Sequence, residues 1–140
     1  MGQDANKVCM GGTESTFKTV ENHVGAIAAG LVCTLKSDDT ITTTIADGAQ
    51  IGVSLGKDLS GADAFVPIVK KGSRVPILLQ SNAVNPVIGA QVYAHATSGK
   101  ADSSGTALNA TYVSGELDAV LEDGSIVVDG CALIDFPGGL

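Results

Sequence analysis

The sequence lacks tryptophan and has only five other aromatic residues, two tyrosines and three phenylalanines, among 140 residues. Grooves that bind bases or sugars depend on aromatic side chains as stacking platforms. The chain also has no uninterrupted apolar run of the roughly 18 residues that a membrane-spanning helix needs. These shortages argue against a base- or sugar-binding protein, and we expect no membrane association.

Cysteine and histidine are scarce as well. Cys9, Cys33 and Cys131 are odd in number and widely spaced, which indicates free thiols from a reducing cytoplasm, with Cys33 and Cys131 in the core. The two histidines, His23 and His95, have no partner at the spacing of an HExxH zinc motif. The sequence therefore predicts no metal site, no cofactor and no catalytic residue, and we expect a protein that is not an enzyme.

Charge is distributed unevenly along the chain. Residues 1–100 contain all eight basic residues and eight acids, whereas residues 101–140 contain seven acids and no Lys or Arg. The net charge of −7 therefore belongs to the last 40 residues. Because nucleic-acid affinity depends on Lys and Arg that neutralise phosphates, no direct contact with nucleic acid is expected. The one basic cluster, Lys70, Lys71 and Arg74, flanks a predicted turn at residues 71–73.

Residue composition favours β structure. Val, Ile and Thr together number 35, against 29 for Leu, Glu, Lys, Gln, Arg and Met, and β-branched side chains suit a pleated surface better than a helix. From residue 31 onward, short apolar runs alternate with turn residues about every ten residues, which is typical of an all-β sandwich or barrel. The predicted strands are 31–36, 40–45, 50–55, 64–70, 74–80, 91–97, 106–113, 116–122 and 125–134.

Alternation within these strands predicts which side chains face the core. The predicted core faces are Val75, Ile77 and Leu79; Val92, Ala94 and Ala96; and Ile126, Val128 and Ala132. Pro67 and Pro76 fall within neighbouring strands. Because proline has no N–H to donate, each is predicted at a sheet edge or a bulge.

The first 30 residues follow a different pattern. Apolar residues from Phe17 to Leu31 recur at spacings of three and four, as in an amphipathic helix, but Gly25 and Gly30 interrupt that pattern. We therefore predict an extended N-terminal arm at residues 1–24 and a single β-sandwich domain at residues 25–140.

Seven segments resemble, in their order and spacing, the small cement (decoration) proteins of tailed-phage capsids, in particular the podophage type. They are GAIAAGLV at 25–32, DDTI at 38–41, IGVSL at 51–55, VKKGSRVP at 69–76, IGAQVY at 88–93, GKA at 99–101 and CALIDF at 131–136. Together they cover most of residues 25–136.

This resemblance implies a jelly-roll-like β-sandwich and a function without catalysis. The implied protein is made in the bacterial host cytoplasm and binds the outer surface of the capsid, where it clamps neighbouring major capsid protein subunits. The resemblance also implies self-association as a homodimer, with a trimer as the alternative. A protein that binds only the assembled shell stabilises it, since disassembly must then also break that binding.

Candidate capsid contacts come from the predicted arm, the prolines and the basic cluster. They are Phe17, Pro67, Lys70, Lys71, Arg74 and Pro76. Two alternatives stay open. A self-assembling fibre, spike or pilin-like subunit would share this composition, and a small β-barrel ligand-binding module would have a pocket or metal near His23 or His95.

Deleting residues 2–16 tests the arm. We expect the truncated protein to bind purified shells more weakly, because a segment that orders on a neighbouring subunit contributes contacts that the deletion removes. Co-sedimentation with the shells measures the change. Unchanged binding would show that the arm makes no contact.

Overall fold

The computed structural model describes residues 13–18, 27–38, 40–55, 65–121 and 124–140. Within these residues the chain is almost entirely antiparallel β-sheet, and the one helix among them is a three-residue 3-10 turn, Ile45–Asp47. The all-β class is therefore confirmed. The strands are β1 (Thr13–Lys18), β2 (Val32–Leu35), β3 (Ile41–Thr42), β4 (Ala49–Ser54), β5 (Phe65–Leu78), β6 (Gln91–Ala94), β7 (Ala101–Asp102), β8 (Thr106–Tyr112), β9 (Leu117–Val120) and β10 (Ile126–Phe136).

Eight strands follow one hydrogen-bonded path, β3-β2-β4-β5-β10-β8-β6-β7, while β1 pairs with β5 and β9 pairs with β10. Backbone hydrogen bonds also connect segments near the two ends of this path. The N–H of Val32 in β2 donates to the carbonyl of Gly99, and the N–H of Ile45 in the 3-10 turn donates to that of Ala96, each at 2.8 Å. The connection between β6 and β7 therefore lies against β2 and the 3-10 turn.

Strand β5 is 14 residues long and belongs to both halves of this sheet. Its first half pairs with β1 and β4, and its second half pairs with β10. The strand bends at Arg74, which has a φ of 55° and donates its N–H to Asp135 Oδ1 at 2.7 Å. The predicted turn at residues 71–73 is wrong, because Gly72 lies inside the continuous strand opposite Phe136. Glycine and serine suit a bulge as well as a turn.

The core consists of two clusters on opposite faces of the sheet. The larger has 17 buried residues drawn from most of the strands, including Val75, Ile77 and Leu79, whose predicted shared face is confirmed. The smaller is formed by Ile27, Leu31, Cys33, Ile41 and Ile68. Adjacent residues of one strand, Val32 and Cys33, contribute to different clusters, since successive side chains point to opposite faces. This part of the sheet is therefore buried on both sides.

The predicted core faces of two other strands are wrong in part. In β10, Ala132 is buried, but Ile126 and Val128 are 63% and 68% exposed. Strand β5 pairs with β10 only from Cys131 onward, so it does not flank these two residues. Val92 and Ala94 are buried in β6, whereas Ala96 is exposed because it lies beyond the end of that strand.

Strand β1 lies within the predicted N-terminal arm. It is a strand of the sheet and pairs with β5 so that Phe17 is opposite Val66. The rest of residues 1–24, like the side chain of Phe17, lies outside the described residues. The boundary between arm and domain stays a prediction.

The two prolines of β5 occupy different positions. Pro67 is opposite Thr16 of β1 on one side, and on the other its carbonyl accepts a hydrogen bond from the N–H of Leu55 at 2.9 Å. It therefore lies inside the sheet, and the edge prediction is wrong for it. The N–H of Leu78 points away from β10 to a loop carbonyl. Pro76, two residues earlier, directs its nitrogen to the same side, where no ladder bond is lost.

Close contact between β4 and β5 can be tested at Gly52. A Cβ atom there would lie 2.1 Å from the carbonyl oxygen of Val69, whereas one at Gly115 would meet nothing within 4 Å. We expect Gly52→Ala to lower the free energy of unfolding by about 3 kcal/mol, since backbone must move to relieve the clash. Gly115→Ala is the matched control and should change it by less than about 0.5 kcal/mol. Urea unfolding measures both, and equal effects would contradict this packing.

The buried thiol of Cys33 predicts a pH dependence of stability. Burial raises the pKa of Cys33 from 9.0 to about 12. Above pH 9 the unfolded chain therefore releases a proton that the folded chain keeps, so the free energy of unfolding falls as the pH rises towards 12. Between pH 8 and 10 we expect wild type to lose about 1.4 kcal/mol more than Cys33→Ala. Cys131→Ala, at a half-buried thiol, should change this slope less. If the free energy of unfolding falls equally with pH in wild type and in Cys33→Ala, the raised pKa does not belong to Cys33.

Candidate protein-binding surface

Strand β9 and the start of β10 form a hairpin that extends past the rest of the sheet. Among the described residues β9 pairs with β10 alone, with Val120 opposite Ile126 and Ala119 opposite Val127. Because β5 reaches β10 only at Cys131, residues 126–129 have β9 on one side and no described strand on the other. We call residues 117–121 and 124–129 the β9–β10 hairpin.

This hairpin exposes apolar side chains. Five of the seven large hydrophobic residues that are exposed in the described part of the chain belong to it: Leu117, Val120, Ile126, Val127 and Val128. Val120 and Ile126 are cross-strand partners and Val128 is two residues further on, so these three share one face. They are 72%, 63% and 68% exposed. Contiguous exposed apolar patches mark interaction sites in soluble proteins, so this outer face is the candidate binding surface.

Carboxylates surround the apolar face. Asp118 and Asp129 are exposed on the two strands, Glu116 precedes β9, and the sequence places Glu122 and Asp123 in the connection between the strands. No Lys or Arg occurs anywhere in residues 101–140. A partner of this surface therefore meets aliphatic side chains ringed by negative charge.

Two local hydrogen bonds hold the base of the hairpin. Asp118 Oδ1 accepts the N–H of Asp129 at 3.1 Å, where Asp129 has a φ of 54° and the register of the pair shifts. The thiol of Cys131 lies 3.6 Å from the carbonyl oxygen of Asp118 and donates to it. Partial burial, and then the charge of Asp118, raise the pKa of Cys131. Cys131 is only half-buried, so its predicted place in the core is wrong.

A cleft of about 260 Å³ lies beside β9. The turn at residues 29–30, the end of β4, part of β5 and strand β9 enclose it. Its apolar lining includes Leu55, Pro76, Leu78 and Val120, and Asp118 supplies a carboxylate. The structure thus brings Pro76, a predicted contact residue, next to the hairpin.

The basic cluster lies on the strand that forms one wall of this cleft. Lys70, Lys71 and Arg74 are all exposed around the bend of β5, close to the pairing of Gly72 with Phe136 at the C-terminal end of β10. Arg74 is two residues before Pro76, which lines the cleft together with Val120 of the hairpin. The predicted cluster and the apolar hairpin therefore belong to different strands that approach each other at the cleft.

Residues 52–56 spell Gly-Val-Ser-Leu-Gly, the G-x-S-x-G pattern of a hydrolase nucleophile elbow. In such an elbow the serine is exposed at a sharp turn that follows a strand. Ser54 is instead buried within β4, where its Oγ donates to the carbonyl of Ala28 at 2.5 Å and accepts the N–H of Leu31 at 3.0 Å. This serine stabilises the 28–31 turn, and the pattern does not mark a nucleophile.

His95 also has a structural position. Its Nδ1 accepts the N–H groups of Thr97 and Ser98 at 3.3 and 3.2 Å and so closes the turn after β6, while His23 lies outside the described residues. No group of three or more potential metal ligands occurs in the described ranges. The same ranges hold no helix with the length and apolar character to cross a membrane.

Comparison with known proteins gives no relative: no protein-family model, no curated protein and no solved structure matches the chain. The function is therefore inferred from the surface described above.

Sequence reasoning missed this surface although one signal was present. Ile126, Val127 and Val128 are three consecutive apolar residues, which a strand with one buried face does not require. Acidic residues lie on both sides of this apolar run in the sequence. An apolar run within an acidic segment was therefore the signal that could have indicated an exposed face.

Proposed function

We propose that this chain is a structural protein, not an enzyme, that acts by binding other proteins: a capsid cement protein on the outside of an assembled phage head. In this proposal it clamps neighbouring major capsid protein subunits. A jelly-roll-like sandwich, a homodimer or alternatively a trimer, synthesis in the host cytoplasm and a place on the virion surface belong to the same proposal.

The exposed face of the β9–β10 hairpin is the observation that carries this proposal. Each aliphatic side chain removed from water contributes about 25 cal/mol per Å² of apolar area. Val120, Ile126 and Val128 are all more than 60% exposed, so a partner that covers them gains this contribution from each. Repetition over many sites of a shell would turn a modest contact into a large total stabilisation.

A clamp needs two contact surfaces, and the chain offers a second one. Lys70, Lys71 and Arg74 are exposed around the bend of β5, outside the hairpin. One copy can therefore contact an acidic region of one capsid subunit and an apolar region of the next. Binding across such a joint opposes disassembly, because separating the subunits must break one of the two contacts.

A self-assembling fibre or spike subunit is the second candidate. The apolar hairpin is acidic and the β5 segment at residues 70–74 is basic, so the two surfaces are complementary in charge between copies. Head-to-tail contacts of that kind form rings or open filaments. The third interpretation, a small ligand-binding module, has less support because a cleft of about 260 Å³ is smaller than typical ligand pockets.

Co-sedimentation with empty phage heads that lack their own decoration protein tests the proposal, with light scattering of the protein alone beside it. We expect a small oligomer in solution and saturable binding to heads. Val128→Ser should weaken that binding about tenfold, because an exposed valine then no longer contributes apolar burial. Val87→Ser is the matched control at another exposed valine and should bind as wild type does.

Two results would contradict these expectations. Polymerisation of the protein alone, without heads, would support the fibre. Equal binding by wild type and Val128→Ser would remove the hairpin from the contact.

A further inference from the structure

Strand β9 has no described strand on the side that faces away from β10. The N–H of Leu121 donates to the carbonyl of Ser125 at 2.8 Å and closes the hairpin, which fixes the alternation of backbone groups along β9. Residues 119 and 121 direct their backbone groups to β10, so the N–H and C=O of Val120 point outward. No described strand pairs with that outer side. Such an edge is a template for an added strand.

Asp118, Ala119 and Val120 of β9 line the cleft of about 260 Å³. Its lining also includes the apolar residues Leu55 and Leu78. Asp118 is exposed and lies two residues before Val120, so these two side chains share one face of β9. A Lys or Arg that an added strand turns to this face matches it, because its aliphatic stem packs against apolar surface while its charged end reaches an acid.

The negative charge of the hairpin also restricts which partner can bind there. Residues 116–129 contain five acids (Glu116, Asp118, Glu122, Asp123 and Asp129) and no basic residue. A second copy that paired edge to edge would bring two such sets together, and like charges on adjacent strands are destabilising. The occupant that fits is therefore a different segment, with a positive charge.

We propose that the outer edge of β9 binds an extended segment of a partner protein that has a basic and an apolar residue two positions apart. The Lys or Arg of that segment lies against Asp118, and the apolar residue on the same face extends the hydrophobic contact of the hairpin. This deepens the proposed function and rests on it, since the partner there is the major capsid protein.

Three variants test the edge and the cleft. Val120→Pro removes an outward N–H, and proline is tolerated on edge strands, whereas Val120→Thr keeps both the N–H and the branched shape. Asp118→Asn removes the charge but keeps an oxygen that can accept the N–H of Asp129. Each variant is assayed for co-sedimentation with empty heads. It is also assayed for binding a capped peptide of sequence Lys-Thr-Val-Thr-Lys-Thr, with a Glu-Thr-Val-Thr-Glu-Thr peptide as control.

We expect wild type to prefer the basic peptide, with affinity falling as salt is added. Val120→Pro should bind heads and peptide about tenfold more weakly, Asp118→Asn about fivefold more weakly, and Val120→Thr as wild type does. Circular dichroism establishes that each variant is folded. If Val120→Pro does not fold, Asp118→Asn and the two peptides still decide the question.

The outcomes separate this inference from the proposed function. If heads bind wild type, Val120→Pro and Asp118→Asn equally, the β9 edge is not the binding site, although a cement function stands. If heads do not bind but the basic peptide does, with the expected losses, the edge site stands and the cement function falls. Equal affinity for both peptides, or a wild-type dimer that Val120→Pro dissociates, would overturn the basic occupant.

Discussion

The continuity of β5 is the constraint on which the rest of this structure depends. One strand of 14 residues pairs with β1 and β4 in its first half and with β10 in its second, so it joins the two halves of the sheet. The bend at Arg74, held by the hydrogen bond to Asp135, lets the strand pass between the halves without a break. A turn at this point would have left two separate sheets.

The length of the ladder between β5 and β10 also determines which part of β10 has a neighbouring strand on both sides. Strand β10 is flanked by β5 from Cys131 to Phe136, and the part before Cys131 has β9 as its described neighbour. Two-stranded hairpins are marginally stable in water without further packing. The hydrogen bond from Asp129 to Asp118 and the thiol contact of Cys131 hold the base of this one. Its outer apolar face is left without a covering layer in the described part of the chain.

Much of the strand arrangement could be predicted from sequence because it depends on local chemistry. Strands β2 and β8 lie within their predicted ranges. Strand β7 was missed because two residues are too few for a pattern. The long β5 was missed because Gly72 and Ser73 suit a bulge and a turn alike.

The candidate surface was harder to predict for a different reason. Alternation shows that two side chains share a face, but not whether another layer of the protein covers it. Val75 and Val128 have the same sequence signature, yet one is fully buried and the other is 68% exposed. What separates them is how far β5 extends along β10, which is a property of long-range pairing.

The uneven charge of the chain now has a structural meaning. An exposed β-branched hairpin with a free edge is an aggregation hazard, and charged residues on edge strands are the usual protection against it. The acids around Val120 and Val128 supply that protection, since copies that approach edge to edge repel one another. The same charges attract a basic segment, so one set of carboxylates both opposes self-pairing and favours a positively charged partner. A hairpin that is apolar and acidic, with no described strand at its outer edge, is therefore suited to a partner of opposite charge.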